Sequence, residues 1–266
     1  MNRAGTPGGI RLRMLREEAG KTQLDVELDA SLGSGYLQRV ESGKVQRPER
    51  ETLERILAAL GARYSERRDV LEMFGYVVDA PLPTEAEIAW AVEVCQSELH
   101  DVNFPAYLLD CGHRLLAWNR FVPRLFNTDV AGKLARVSMI KVLFDPRYGV
   151  AQLIHNPDEF YPASIRALRY QTQMFQGEAW YTNLIREMIE AIPNLRRYWD
   201  SGAPERVYPT AARPLTPIEF KLPDAGALKF WLTSESFVQD RRFRMMYFLP
   251  ADSATMEQCA AWAEDC

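Results

Sequence analysis

The chain has 266 residues, 47% of them hydrophobic and 11% aromatic, with 32 Lys and Arg against 36 Asp and Glu for a formal net charge of −4. That length and apolar content suit two modest domains, each with its own core. The charge excludes a chain-wide basic surface. No run of about 20 apolar residues offers a membrane span, and the opening MNRAGTPGG lacks a signal peptide's apolar core, so a cytoplasmic location is expected.

Residues 1–8 read as a loose tail rich in Gly and Pro, and a first helix is predicted from about Gly9 to Ala19, with Leu12, Leu15 and Ala19 inward and Gly20 stopping it. The stretch Lys21–Lys44 reads as two short helices joined by a tight turn. Thr22 and Asp25 form a capping-box-like pair, and Val26 and Ala30 share one face. Gly33 breaks the chain. Ser34 to Ser42 forms the second helix, with Tyr36, Leu37 and Val40 as its buried stripe and Gly43 just past its end. Ser34, Gly35, Gln38 and Arg39 lie off that stripe, and residue types of this kind suit base edges in a major groove. Lys44, Gln46 and Arg47 follow and can hold phosphates. An ordinary helical hairpin with a polar face is the alternative. Within residues 1–78, 13 Lys and Arg face 12 Asp and Glu, so any DNA binding here depends on local placement of charge, and the monomer is expected to bind non-specific DNA weakly. A helix carrying Leu53, Ile56, Leu57 and Leu60, and a fifth from about Ser65 to Phe74, complete a five-helix domain over residues 1–76.

Residues 77–100 read as a linker, VVDAPLPTEAE, and a connecting helix from Glu85 to Leu99 that either docks on the second domain or pairs with its copy. In residues 101–266, strands are predicted at Ala106–Asp110 and Arg114–Trp118 around the turn Cys111-Gly112-His113, then a helix from Asn119 to Phe126 and an apolar stretch from Leu134 to Phe144. Three helices follow, about Ala163–Phe175, Glu178–Ile192 and Asn194–Trp199. Strands close the series at Glu205–Leu222, Leu228–Phe237 and Phe243–Leu249. This is an α+β layout, an antiparallel sheet covered by helices, with a PAS-like look.

Two resemblances rest on these pieces. GIRLRMLREEAGKTQ, GYLQRVESGK and RPERETLERILAALG resemble the Cro/repressor-type helix-turn-helix family over about residues 8–62. The resemblance implies double-stranded DNA as a partner, Gln23 on a phosphate, Ser34, Gly35 and Arg39 at bases, and Arg16 paired with Glu41 across the core. Glu27 stands where the family usually has alanine, and Gly33 where it has a serine N-cap. FPAYLLDCGHRLLAWN, RVSMIKVLFDP, IRALRYQ and LRRYW resemble the ligand-binding domain of MmyB-like transcription regulators over about residues 100–250, with departures at Arg136-Val137, at Ile192-Pro193-Asn194-Leu195 and at Tyr208-Pro209. That resemblance implies a small apolar ligand, for instance a non-covalently bound fatty acid, and no other cofactor.

An enzyme is not expected. The three histidines, His100, His113 and His155, belong to no hydrolase, zinc or phosphate-binding motif, and Asp110-Cys111-Gly112-His113 reads better as a hairpin turn than as a thiol nucleophile. The four cysteines form no CxxC pair, so a zinc ribbon is not expected. Candidate pocket residues are Trp118, Phe121, Leu125, Phe144, Met174, Trp180, Tyr181, Trp231, Met245 and Tyr247, each of which, taken singly, reads first as core. Arg136 and Arg169 match family arginines and are the expected partners of a ligand carboxylate. The reading is a DNA-binding transcription regulator with a C-terminal sensor, acting as a homodimer on a pseudo-palindromic operator. The alternative is a C-terminal domain serving only dimerisation or protein contact.

Overall fold

The computed structural model describes residues 5–201 and 215–264. The chain divides between Asp79 and Ala80 into two compact units.

The first unit holds five helices: α1 (Pro7–Glu18), α2 (Gln23–Asp29), α3 (Tyr36–Glu41), α4 (Arg50–Ala59) and α5 (Tyr64–Met73). The first helix starts earlier than predicted because Thr6 caps it by accepting from Gly9 N–H at 3.1 Å, with Pro7 in the first turn where its missing N–H is harmless. Pro7 and Gly8 are therefore part of the helix rather than of a loose tail, and a Cβ on Gly9 would lie 2.5 Å from the Val40 carbonyl oxygen. The Thr22–Asp25 capping box is present on α2. Gly43 follows α3 in the left-handed region at φ 73°. Leu12, Leu15, Val26, Leu37, Val40, Leu53, Ile56, Leu57, Val70 and Leu71 close into one core.

The second unit opens with α6 (Glu85–Asp101), whose capping box is Thr84 with Glu87. After it come β1 (Ala106–Asp110), β2 (Leu115–Trp118), α7 (Phe121–Phe126), α8 (Val130–Lys133), α9 (Met139–Phe144), α10 (Pro157–Gln171), α11 (Ala179–Ala191), α12 (Pro193–Ser201), β3 (Thr216–Leu222), β4 (Gly226–Ser236), β5 (Phe243–Pro250) and α13 (Ser253–Glu264). The five strands form an antiparallel sheet in the order β2-β1-β5-β4-β3. This is the expected α+β arrangement, an antiparallel sheet covered by helices. Of the strand predicted from Glu205, residues 205–214, including Tyr208-Pro209, lie outside the described residues. Helix α10 begins at Pro157 rather than near Ala163, because proline is favoured at a first helical position, and Pro162 is accommodated inside the helix. His155-Asn156-Pro157-Asp158 is accordingly a helix start. Helix α13 was not predicted.

The two faces of the sheet bury different sets of residues. Alternation sends Ala106, Leu108, Phe243, Met245 and Tyr247 to one face, where α6 packs with Ile88, Ala91, Cys95 and Leu99. The helix from Glu85 therefore docks on its own sheet. The other face carries Tyr107, Phe220, Phe230 and Phe248, which cluster with Phe126 of α7 at centroid separations of 5.8–6.4 Å.

Candidate functional site

The first candidate site is α3 and the turn after it. Leu37 and Val40 are buried, while Ser34, Gln38, Arg39, Lys44, Gln46 and Arg47 are exposed, and Gly35 and Gln23 are half-buried. Arg39 lies over the Tyr36 ring at 5.6 Å. None of Arg39, Lys44 and Arg47 has an acidic partner among the described residues. Beneath the helix, Arg16 donates to Glu41 from Nε at 2.7 Å and from Nη2 at 3.1 Å, and Gln23 donates to the same carboxylate at 2.7 Å. The hydrogen bond to Glu41 raises the Arg16 pKa above its usual value. One amide hydrogen of Gln23 is thus committed to holding α2 against α3. The N-terminus of α3 is capped from α2, by Glu27.

The second candidate site is a cavity of about 80 Å³ between the sheet and α9 and α10. Its floor is Tyr107 and Leu109 of β1, Leu232 of β4, and Arg244 and Met246 of β5; its roof includes Met139, Leu143, Phe144, Ala167 and Leu168. Gln171 at one side donates to Ser234 Oγ at 2.8 Å. The lining is mostly apolar, with two basic side chains.

One of them, His113, sits in the β1–β2 turn at φ 62°, a conformation fixed by its neighbours. Its N–H donates to the Asp110 carbonyl at 2.9 Å, its carbonyl accepts from Met139 N–H at 2.8 Å, and the fully buried Asp110 carboxylate accepts from Arg114 N–H at 2.9 Å and Nε at 2.6 Å. Burial, with Arg244 adding to it, holds the His113 imidazole well below its usual range, so the ring is neutral at neutral pH. Its Nδ1 contacts Arg244 Nη2. An arginine can only donate, so Nδ1 accepts and the His113 proton resides on Nε2. That Nε2–H is buried without a partner, and so is Arg244 Nε–H. Burial lowers the Arg244 pKa, and no carboxylate lies within ion-pair distance of it among the described residues. Two residues that line the cavity thus hold buried donors without partners, and one of them is a guanidinium with no ion-pair partner among the described residues.

The predicted pocket residues are dispersed by the fold. Phe144 lines the cavity. Met245 and Tyr247 point to the opposite face of the sheet, under α6, where the Tyr247 hydroxyl meets Glu98. Trp118 lies half-buried on β2 beside Leu99 and His100 of α6, and Phe121 is buried in α7. Met174 and Trp231 are exposed. Arg136 is a surface residue paired with Glu85 at 3.1 Å, and Arg169 lies over the Trp199 ring at 4.6 Å and donates to the Trp199 carbonyl at 2.9 Å. The cavity uses the alternate residues of β5, Arg244 and Met246, together with His113. An arginine within the apolar run FRMMYF was the signal for this arrangement. Cys111 is buried, and burial pushes its thiol up to about 12, so it is no thiolate at neutral pH. Among the described residues no group of three or more His, Cys, Asp or Glu could hold a metal ion, and no helix is long and apolar enough to cross a membrane.

Residues 95–261 match the MmyB-like transcription regulator ligand binding domain, and residues 9–70 match a helix-turn-helix domain. No curated protein matches. A solved structure titled as an RNA-binding light-oxygen-voltage receptor aligns at 10% identity and a TM-score of 0.29 over 98% of this chain, which spans 64% of that receptor's length.

Proposed function

The chain belongs to the MmyB-like transcription regulators, DNA-binding regulators with a ligand-sensing domain, and on that premise we propose that it senses an apolar carboxylic acid, with a fatty acid as the leading class. The observation that carries this reading is Arg244. It is a buried guanidinium without a counter-ion, facing an apolar cavity beside a neutral imidazole with a free N–H. A carboxylate placed there would accept from both residues and neutralise the charge, while the first carbons of the chain would lie among Leu143, Phe144, Leu168 and Met246, and a longer chain requires the cavity to widen. An alcohol or ester would leave the positive charge uncompensated.

The regulator acts as a homodimer on a pseudo-palindromic operator, with Ser34, Gln38 and Arg39 of each protomer at base edges and Lys44, Gln46 and Arg47 at phosphates. Ligand binding shifts the spacing of the two reading helices, which must meet half-sites about 34 Å apart. Denaturing extraction followed by mass spectrometry, together with titration of decanoate against methyl decanoate, tests the sensor. Decanoate binding much more tightly than its ester supports it; equal affinity, or no binding of either, overturns it. A monomer at operator saturation in light scattering overturns the dimer. A sensor domain that serves dimerisation alone would show an intact dimer with no acid bound at any chain length.

A further inference from the structure

The helix predicted to read DNA is six residues long, and its own N-cap position is Gly35, which has no side chain to offer. A helix of that length does not persist by itself, and its first N–H groups need acceptors. Both needs are met from a different helix. The Glu27 carboxylate of α2, buried to 4% exposure, accepts from Gly35 N–H at 3.0 Å through one oxygen and from Leu37 N–H at 2.8 Å through the other. Glu27 has no ion-pair partner among the described residues, so its charge is balanced by these backbone amides and by the positive end of the helix. A shift of α3 relative to α2 would strand a buried carboxylate and expose two unmet donors together. The contact thus fixes the helix position more stringently than apolar packing, which tolerates sliding.

We propose that Glu27 is the positioning residue of the DNA-reading helix: it sets where Gln38 and Arg39 stand without touching DNA itself. The same carboxylate occupies the amides that a helix N-terminus would otherwise present to a phosphate. Base and phosphate contacts must therefore come from the exposed side chains. Gly33 has no positive φ, and a Cβ there meets nothing within 4 Å. A serine at residue 33 is free to accept from the start of α3 and can replace the distant cap with a local one.

The test uses the full chain and the duplex that it enriches most strongly from a random library. Glu27→Ala is expected to weaken binding to that duplex by about tenfold while leaving binding to a scrambled duplex within about twofold, and to speed hydrogen exchange at the Gly35 and Leu37 amides. Glu27→Gln, which keeps an acceptor oxygen, should fall between. The double variant Glu27→Ala/Gly33→Ser should recover most of the discrimination. Unchanged discrimination in Glu27→Ala overturns the proposal. So does a parallel loss of scrambled and selected binding in all three variants, because that pattern marks a residue needed only for folding.

Discussion

Replacing Arg244 by methionine separates a ligand-binding arginine from a structural one, because the two roles predict opposite signs. In the unliganded protein the guanidinium has an unmet Nε–H and, among the described residues, no carboxylate within ion-pair distance. An unmet buried donor costs about 1–3 kcal/mol, and the hydrogen bond to His113 returns about 1 kcal/mol. Methionine fills a similar volume without the charge, so Arg244→Met should leave the unliganded domain as stable or up to about 2 kcal/mol more stable. Acid binding should move the other way. Loss of a charge-assisted pair in a mostly apolar cavity is worth about 2–4 kcal/mol, or roughly 30- to 1,000-fold in Kd. Urea unfolding with and without decanoate gives the first quantity, and calorimetric titration with decanoate and its methyl ester gives the second. The variant should bind acid and ester alike. A variant that loses more than about 2 kcal/mol without ligand, yet binds decanoate as the natural protein does, would refute the reasoning.

Burial holds the His113 pKa well below its usual value, so the unfolded chain takes up this proton first. The associated stability is complete above about pH 6.5 and is lost as pH falls through that range, by up to about 1.4 kcal/mol per unit; urea midpoints measured between pH 7 and 5 should decline less steeply in His113→Gln. A carboxylate beside His113 favours its protonated form, so decanoate should bind more tightly at pH 6 than at pH 8, which titration at the two values checks. Arg16→Met strands the buried Glu41 carboxylate and should cost the helical unit about 3–5 kcal/mol, most of it regained in Arg16→Met/Glu41→Met; chemical unfolding of the variants decides this. Operator affinity should fall with salt at a slope of about −2 per protomer, from Lys44 and Arg47. A slope of about −8 would show a phosphate surface far larger than these residues supply.

The amino-acid order alone determined much of this protein. The five N-terminal helices, with boundaries at Gly20, Thr22 and Gly43, were legible because capping and 3.6-residue periodicity act within a few neighbours, whereas the Arg16–Glu41 pair, 25 residues apart, was implied only by the family resemblance. The strands β1, β2, β4 and β5 were legible from their alternation and turns, and with the helices between them they gave the α+β class. Alternation also sorted Met245 and Tyr247 from Arg244 and Met246, but it carries no label for which face a helix will fill. Only the tertiary structure decided that α6 covers Met245 and Tyr247, and so left Arg244 facing the cavity. It likewise turned Glu27 from a departure in a familiar pattern into the cap of α3, and His113 from a turn residue into a donor beside Arg244. Each of these roles is a contact between residues far apart in sequence or on different elements. Such contacts follow from how apolar faces pair on folding, which local propensity does not encode.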